Sequence, residues 1–188
     1  MFIHRIDDEL FLRLPEERHS AEAYALIKRD AEHLREWLPW VTEDFSLEDA
    51  KEFVRRNRRQ FADNQGYSAQ IVYRDRIAGQ VGFNGFDWPN SKTEIGYWLG
   101  ASFQGRGIMT RACRALVNHA FRELKFNRVE IKCAVGNARS RAIPERLGFT
   151  EEGTLRQAER LHDRYVDLVV YGLLAAEWPR KEAPNAGR

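Results

Sequence analysis

A glycine-containing loop in the middle of the chain has the residue types of an anion-binding site. The segment Gln104–Thr110 contains Gly105 and Gly107, separated by one residue, and lies between a predicted strand and the clearest predicted helix. Glycines allow the backbone to turn its N–H groups toward a ligand, and the first turn of a helix has unpaired N–H groups at the positive end of its dipole. The loop is therefore suited to bind a pyrophosphate, with Arg106 adding a charge and Thr110 a hydroxyl.

Two better-known nucleotide loops do not fit this segment. A P-loop would end in Gly-Lys-Ser or Gly-Lys-Thr, and the segment has no such ending. A dinucleotide-binding loop would follow the first strand with three spaced glycines, whereas this loop lies in the middle of the chain. A glycine-containing turn between a strand and a helix, without any ligand, stays open as the alternative.

The elements that would position this loop are strands and helices in alternation. Alternating apolar patterns predict strands at Leu10–Leu14, Tyr67–Tyr73, Ile77–Phe86, Thr93–Leu99, Arg128–Val135, Phe149–Leu161 and Tyr165–Ala175. Helical spacing predicts two short helices within His19–Leu38, then helices at 47–63, Ile108–Lys125 and Ala138–Leu147. This order predicts an α+β fold, in which a mixed sheet has helices on its faces and one β-α-β crossover precedes Arg128–Val135.

The composition restricts the class of protein. The 188 residues suit one domain, which we place at 1–178, with a flexible tail at 179–188. An apolar share of 43% excludes disorder, and 30 basic against 28 acidic residues give a net charge of +2, which argues against a nucleic-acid binder. No run approaches the roughly 20 apolar residues of a membrane span. The five histidines and two cysteines lack ligand spacing, so we expect no metal site and a cytoplasmic protein.

Four segments together resemble a known enzyme family. They are Gly96-Tyr97-Trp98-Leu99, Gln104-Gly105-Arg106-Gly107-Ile108-Met109, 137–142 and 146–153. The second segment matches the Q/R-x-x-G-x-G/A loop of the GNAT N-acetyltransferases, with Met109 where glycine or alanine is usual. That substitution and the first segment resemble the RimJ/RimL-type branch, the ribosomal-protein N-terminal acetyltransferases. The resemblance covers about Leu10 to Trp178.

This resemblance implies a GNAT fold, with a mostly antiparallel twisted sheet, a central parallel pair splayed for the cofactor, and helices on both faces. It also implies direct acetyl transfer from acetyl-CoA to a primary amine in a ternary complex, without a metal. The backbone near Trp98 and Leu99 would pair with the pantetheine amides as an added strand does. The other implied cofactor-binding residues are Gln104, Gly105, Arg106, Gly107, Ile108, Met109, Thr110 and Asn137.

The resemblance also suggests which residues transfer protons. Many relatives have a tyrosine seven residues after the motif asparagine, as proton donor to the departing thiolate, but this chain has Pro144 there. In the RimL-type branch a serine three residues after the asparagine is thought to replace it, which corresponds to Ser140. A glutamate on the following strand is the base of that branch and corresponds to Glu159. We therefore assign Glu159 as general base and Ser140 as proton donor, with Glu94 as the reserve base.

Structural explanations compete with these assignments. Ser140 could satisfy backbone N–H groups in the first turn of its helix. Glu159 could belong to a surface ion-pair set with Arg156, Arg160 and Arg164, and those arginines could equally form a solvated face.

The acceptor site is less clearly marked. We assign Trp40 and Tyr97 to acceptor binding, because Trp37-Leu38-Pro39-Trp40 falls between the early helices, where acceptor walls lie in GNAT enzymes. Burial of both tryptophans in the core is the alternative. The leading function is N-acetylation of a protein N-terminus, that of a ribosomal protein. The alternatives are a small amine as acceptor, such as a polyamine, an amino acid or an antibiotic, and a non-catalytic acetyl-CoA sensor. Because relatives often dimerise, we also expect a homodimer.

Overall fold

The computed structural model describes residues 3–179, which form eight strands and five helices. The strands are β1 (Ile3–Arg5), β2 (Leu10–Arg13), β3 (Tyr67–Tyr73), β4 (Arg76–Asp87), β5 (Lys92–Leu99), β6 (Arg128–Ala134), β7 (Thr150–Leu161) and β8 (Arg164–Leu174). The helices are α1 (Ser20–Arg29), α2 (Ala31–Arg35), α3 (Leu47–Ala62), α4 (Ile108–Arg122) and α5 (Ala138–Leu147). The predicted tail lies outside the described residues apart from Pro179, whose carbonyl oxygen accepts a hydrogen bond from Arg122.

All eight strands belong to one sheet in the order β1-β2-β3-β4-β5-β6-β8-β7. Every neighbouring pair is antiparallel except β5 and β6, which are parallel and are joined by α4. The prediction of an α+β, mostly antiparallel sheet with a central parallel pair is thereby confirmed.

The central pair separates soon after it begins. Backbone pairing between β5 and β6 covers only 92–94 against 128–130, although both strands continue beyond that point. On its other side β5 stays paired with β4 as far as Leu99. The edge of β5 that faces β6 is therefore unpaired with β6 in the second half of the strand. This is the separation that the predicted splayed pair requires.

The core lies where α4 packs against the middle of the sheet. The side chains of Ile108, Ala112, Leu116 and Ala120 fall four residues apart and are all buried. Burying a side chain of leucine size contributes about 1.5–3 kcal/mol, so this stripe fixes the first turn of α4 firmly against the sheet.

Local signals placed most element boundaries correctly. Ser46 and Asp49 form a capping box at the start of α3, with a hydrogen bond from Ser46 N to Asp49 Oδ2 of 2.8 Å. Gly148 ends α5 in the left-handed conformation, at φ 81°. Strand β1 was not predicted, because its three residues are exposed and carry no hydrophobic alternation.

Candidate active site

The splayed strands open a cleft of about 2150 Å³. It is lined by the second half of β5, the end of β6, the first turns of α4 and α5, and the segment around α2. Pockets for one drug-sized ligand measure about 300–1,000 Å³, so this cleft has room for a long cofactor and an acceptor together. Because β6 has diverged, the backbone of Trp98 and Leu99 lies along the cleft while its other edge bonds to β4.

The glycine loop has the geometry of an anion site. Gly105 and Gly107 have φ of 73° and 67°, which other residues adopt only with strain. A Cβ atom at either glycine would meet no protein atom within 4 Å, so the space beside both is open. Gly107 is the N-cap of α4 and provides no side-chain cap, which leaves the first-turn N–H groups available to a ligand.

The other residues of the predicted loop contribute in different ways. The side chains of Ile108 and Met109 are buried in the core, so only their backbone can face a ligand. Arg106 is exposed and Thr110 half-buried, and both line the cleft. The side chain of Gln104 does not point freely into the cleft.

Gln104 instead connects both sides of the cleft mouth. Its Nε2 lies 2.7 Å from His33 Nε2 on α2, and its Oε1 accepts a hydrogen bond of 2.8 Å from Arg139 on α5. The side chain thus braces the loop between two helices. These positions, with the open glycines, the uncapped helix and the unpaired β5 edge, fit the pyrophosphate and pantetheine of acetyl-CoA.

Asn137 caps α5, since its Oδ1 accepts a hydrogen bond of 3.0 Å from the backbone N–H of Ser140. Asn137 also lines the cleft, and its predicted contact with the cofactor stays a prediction. With Asn137 as the cap, the hydroxyl of Ser140 is free for another partner.

That partner is Tyr97. Ser140 Oγ donates to the Tyr97 hydroxyl at 3.2 Å, and the Tyr97 hydroxyl donates to the Ser140 carbonyl oxygen at 3.0 Å. Cys133 Sγ lies 3.1 Å from Ser140 Oγ, a neighbour that the sequence analysis did not assign to the site. Burial raises the pKa of Tyr97 well above its usual value and also raises that of Cys133, so both groups keep their protons at neutral pH.

Glu159 faces the same cleft from β7. From Glu151 to Arg160 every residue is exposed except Glu159, which is half-buried and lines the cleft. Desolvation raises the pKa of Glu159, and the nearby carboxylate of Glu94 adds to the effect. Within residues 3–179 Glu159 forms no ion pair, and the neighbouring Arg160 bonds to the His162 carbonyl oxygen, so the ion-pair set considered as the alternative is not formed.

The reserve base, Glu94, is already engaged. Its carboxylate accepts hydrogen bonds from Asn84 Nδ2 at 2.7 Å and from Lys132 Nζ at 2.6 Å. An acceptor amine would have to compete with both donors. Glu159 is therefore the better placed of the two carboxylates to take a proton.

Aromatic side chains form one wall of the cleft. Trp40 is 41% exposed and packs edge-on against Trp98, with ring centroids 6.1 Å apart. Trp37 covers Gly136, where a Cβ would come within 3.3 Å of the indole ring. Both tryptophans line the cleft, so burial of Trp40 in the core is wrong.

Between Ile3 and Pro179 no group of three or more His, Cys, Asp or Glu residues could hold a metal ion. The helices of this same range also lack the length and apolar composition of a membrane span.

Comparison with known proteins agrees with this geometry. The sequence model of the acetyltransferase (GNAT) domain matches residues 9–150. The putative ribosomal N-acetyltransferase YdaF of Bacillus subtilis is 39% identical over 179 residues, which cover 95% of this chain and 98% of YdaF.

Two solved structures are similar throughout. RimL, a ribosomal L7/L12 α-N-protein acetyltransferase in complex with coenzyme A, superposes with a TM-score of 0.89 at 32% identity, over 94% of this chain and 99% of RimL. The microcin C7 self-immunity acetyltransferase MccE, in complex with acetyl-CoA and AMP, superposes with a TM-score of 0.86 at 33% identity. The match covers 90% of this chain and 94% of MccE. The chain belongs to the GNAT acetyltransferases and uses acetyl-CoA as its acetyl donor.

Proposed function

We propose that this enzyme acetylates the N-terminal α-amino group of a ribosomal protein. The observation that carries the proposal is Glu159, a half-buried carboxylate that faces the cleft without an ion-pair partner in the described range 3–179. An α-amino group has a pKa of about 7.7–8.0, against about 10.4 for lysine, so a carboxylate of moderately raised pKa suffices as its base. Similarity to RimL, an α-N-protein acetyltransferase, supports the same class of acceptor.

In this mechanism two side chains transfer protons. Acetyl-CoA supplies the activated acetyl thioester, held by the backbone of Trp98 and Leu99 and by the glycine loop. Glu159 takes the proton of the attacking amine, directly or through a water molecule. Ser140 gives a proton to the departing sulfur and regains one from solvent in the open cleft. The Tyr97 hydroxyl, to which Ser140 Oγ is hydrogen-bonded, holds the serine side chain in place.

Trp40 supports a peptide acceptor. Its indole ring is 41% exposed at the cleft wall, next to Trp98 and Phe45, so it presents an apolar surface to the first residues of a chain that enters the cleft. Such a wall would hold an extended peptide end while the α-amino group reaches Glu159.

The test compares acceptors of matched composition. Free thiol release from acetyl-CoA is followed with a peptide that has a free N-terminal serine, the same peptide with a blocked N-terminus and an internal lysine, and spermidine. We expect turnover with the first peptide only. Turnover of spermidine or of the blocked peptide, with none of the free one, would contradict the proposed acceptor.

A small amine is the second candidate acceptor. MccE is described with AMP as well as acetyl-CoA, and the exposed face of Trp40 is suited to stack against a planar ring. Under this alternative an aminoacyl nucleotide analogue would be acetylated faster than the free serine peptide. The Trp40→Ala variant would then lose turnover of the nucleotide analogue more than turnover of the peptide.

The proposed acceptor places the reaction in the cytoplasm. The expected homodimer stays a prediction, and the molar mass in solution, measured by light scattering, tests it.

A further inference from the structure

Strand β7 contains a bulge of two extra residues immediately before Glu159. Opposite β8, Leu155 pairs with Leu168 and Glu159 pairs with Val166. Strand β7 thus advances four residues while β8 advances two, which leaves two extra residues in β7. Because a strand rises about 3.3 Å per residue, the bulge holds Glu159 about 7 Å nearer the end of β6 than regular pairing would.

The bulge contains a strained residue and one side-chain anchor. Gln157 has φ of 50°, a left-handed conformation that is unfavourable for a residue with a side chain. Its backbone N–H donates a hydrogen bond of 2.7 Å to Oδ1 of Asp167 on β8. This contact compensates for the ladder hydrogen bond that the bulge removes.

Asp167 also connects the bulge to the cleft. Its carbonyl oxygen accepts a hydrogen bond of 3.0 Å from the backbone N–H of Val135, at the end of β6. The next residue, Leu168, lines the cleft, and Asp167 itself is half-buried. One residue therefore links the β7 bulge to the strand end that leads into α5 and Ser140.

We propose that Asp167 is a positioning residue, which fixes the β7 bulge so that the carboxylate of Glu159 lies in the cleft. The inference rests on the proposed role of Glu159 as base. Asp167 contacts neither reacting group and acts only through the backbone at Gln157. A small displacement of a catalytic group is enough to reduce turnover strongly, since proton transfer needs hydrogen-bond geometry.

The experiment separates the hydrogen bond from the charge. Asp167→Asn keeps an acceptor oxygen at the same place, Asp167→Ala removes it, and Asp167→Glu keeps the charge but moves the oxygens by one methylene. We expect kcat to stay within about twofold in Asp167→Asn and to fall about tenfold or more in Asp167→Ala and in Asp167→Glu, with an unchanged KM for acetyl-CoA. Asp163→Ala, in the exposed turn of the same hairpin, is the matched control and should resemble the parent.

A merely structural role is distinguished by coupling to the base. Adding Asp167→Glu to Glu159→Gln should reduce kcat no further than Glu159→Gln alone, because the base is already absent. Three results would overturn the role of Asp167 while leaving Glu159 as the proposed base. The first is an additive loss of kcat in the double variant, and the second is an equal loss in Asp167→Asn and Asp167→Glu. The third is parental kcat in Asp167→Glu when Glu159→Gln is impaired. Parental kcat in Glu159→Gln would instead remove the proposed base, and the inference with it.

Discussion

The hydroxyl of Tyr97 donates a hydrogen bond of 3.0 Å to the carbonyl oxygen of Ser140. In a regular helix that oxygen would accept from the backbone N–H four residues later, which is the position of Pro144 in α5. Proline has no N–H, so the carbonyl is available and Tyr97 occupies it. Pro144 stands where many relatives have the tyrosine donor. Because it leaves the Ser140 carbonyl oxygen without a helical partner, the hydroxyl of a different tyrosine, Tyr97, binds beside Ser140.

This relationship predicts the effect of removing one oxygen atom. Tyr97→Phe leaves the Ser140 carbonyl without its donor and the Ser140 hydroxyl without its acceptor. We expect kcat to fall about tenfold or more while the KM for acetyl-CoA changes little, because a general acid contributes about 10²–10⁴-fold and Tyr97 acts through it. Steady-state kinetics measures both parameters.

The matched control is Tyr73→Phe, which removes a hydroxyl at the end of β3 that donates to Glu9 and does not line the cleft. It should keep parental kcat. If Ser140→Ala and Tyr97→Phe reduce kcat additively when combined, the two hydroxyls do not act as a unit.

Glu159→Gln should abolish most turnover and remove the acid limb of the pH profile. Desolvation and Glu94 raise the pKa of Glu159 above its ordinary value of 4.5, so the parent loses activity as pH falls through that raised pKa. Loss of a general base reduces kcat by about 10²–10⁴-fold. Glu94→Gln should keep far more activity and move the acid limb to lower pH, since it removes the neighbouring negative charge. An unchanged acid limb in Glu94→Gln would contradict the coupling.

Glu159→Gln, which should lower turnover, should leave the stability of the folded protein at pH 7 unchanged or raise it. A carboxyl whose pKa is raised in the folded state favours folding when protonated, and this contribution is lost as pH rises through the folded pKa. At pH 7 the ionised Glu159 therefore costs stability, and Glu159→Gln should unfold at the same or a higher temperature than the parent. Below pH 4.5 the difference should vanish. Thermal unfolding at both pH values tests the sign, and a lower Tm at pH 7 would contradict it.

Gly107→Ala should weaken acetyl-CoA binding. Gly107 has φ of 67° at the start of α4, and a residue with a side chain pays about 1–2 kcal/mol there. We expect a lower Tm and a raised KM for acetyl-CoA, because the N–H groups of the first turn lose their alignment. Gly85→Ala is the matched control, since its Cβ would meet only one atom, at 3.9 Å, and Gly85 has an ordinary backbone conformation.

Local sequence patterns determined much of the architecture. Three local features depend only on residues a few positions apart: the capping box at Ser46, the left-handed cap at Gly148 and the apolar stripe of α4. Such features can be recognised from the sequence without knowledge of the fold. The glycine loop is local in the same way, which explains why the anion site was predicted from spacing. The prediction of a splayed parallel pair came from the family resemblance.

Only the tertiary structure decided how the groups proposed to transfer protons are arranged. The partner of Ser140 lies 43 positions away in Tyr97, and Glu94 is bonded to Lys132, 38 positions away. The bulge that moves Glu159 into the cleft depends on Asp167 of the next strand. The sequence by itself therefore determined the elements and the geometry of the glycine loop, because those depend on near neighbours. The environment of each side chain proposed to transfer a proton depends on which distant strands meet, and for Glu159 the register of β7 against β8 sets it.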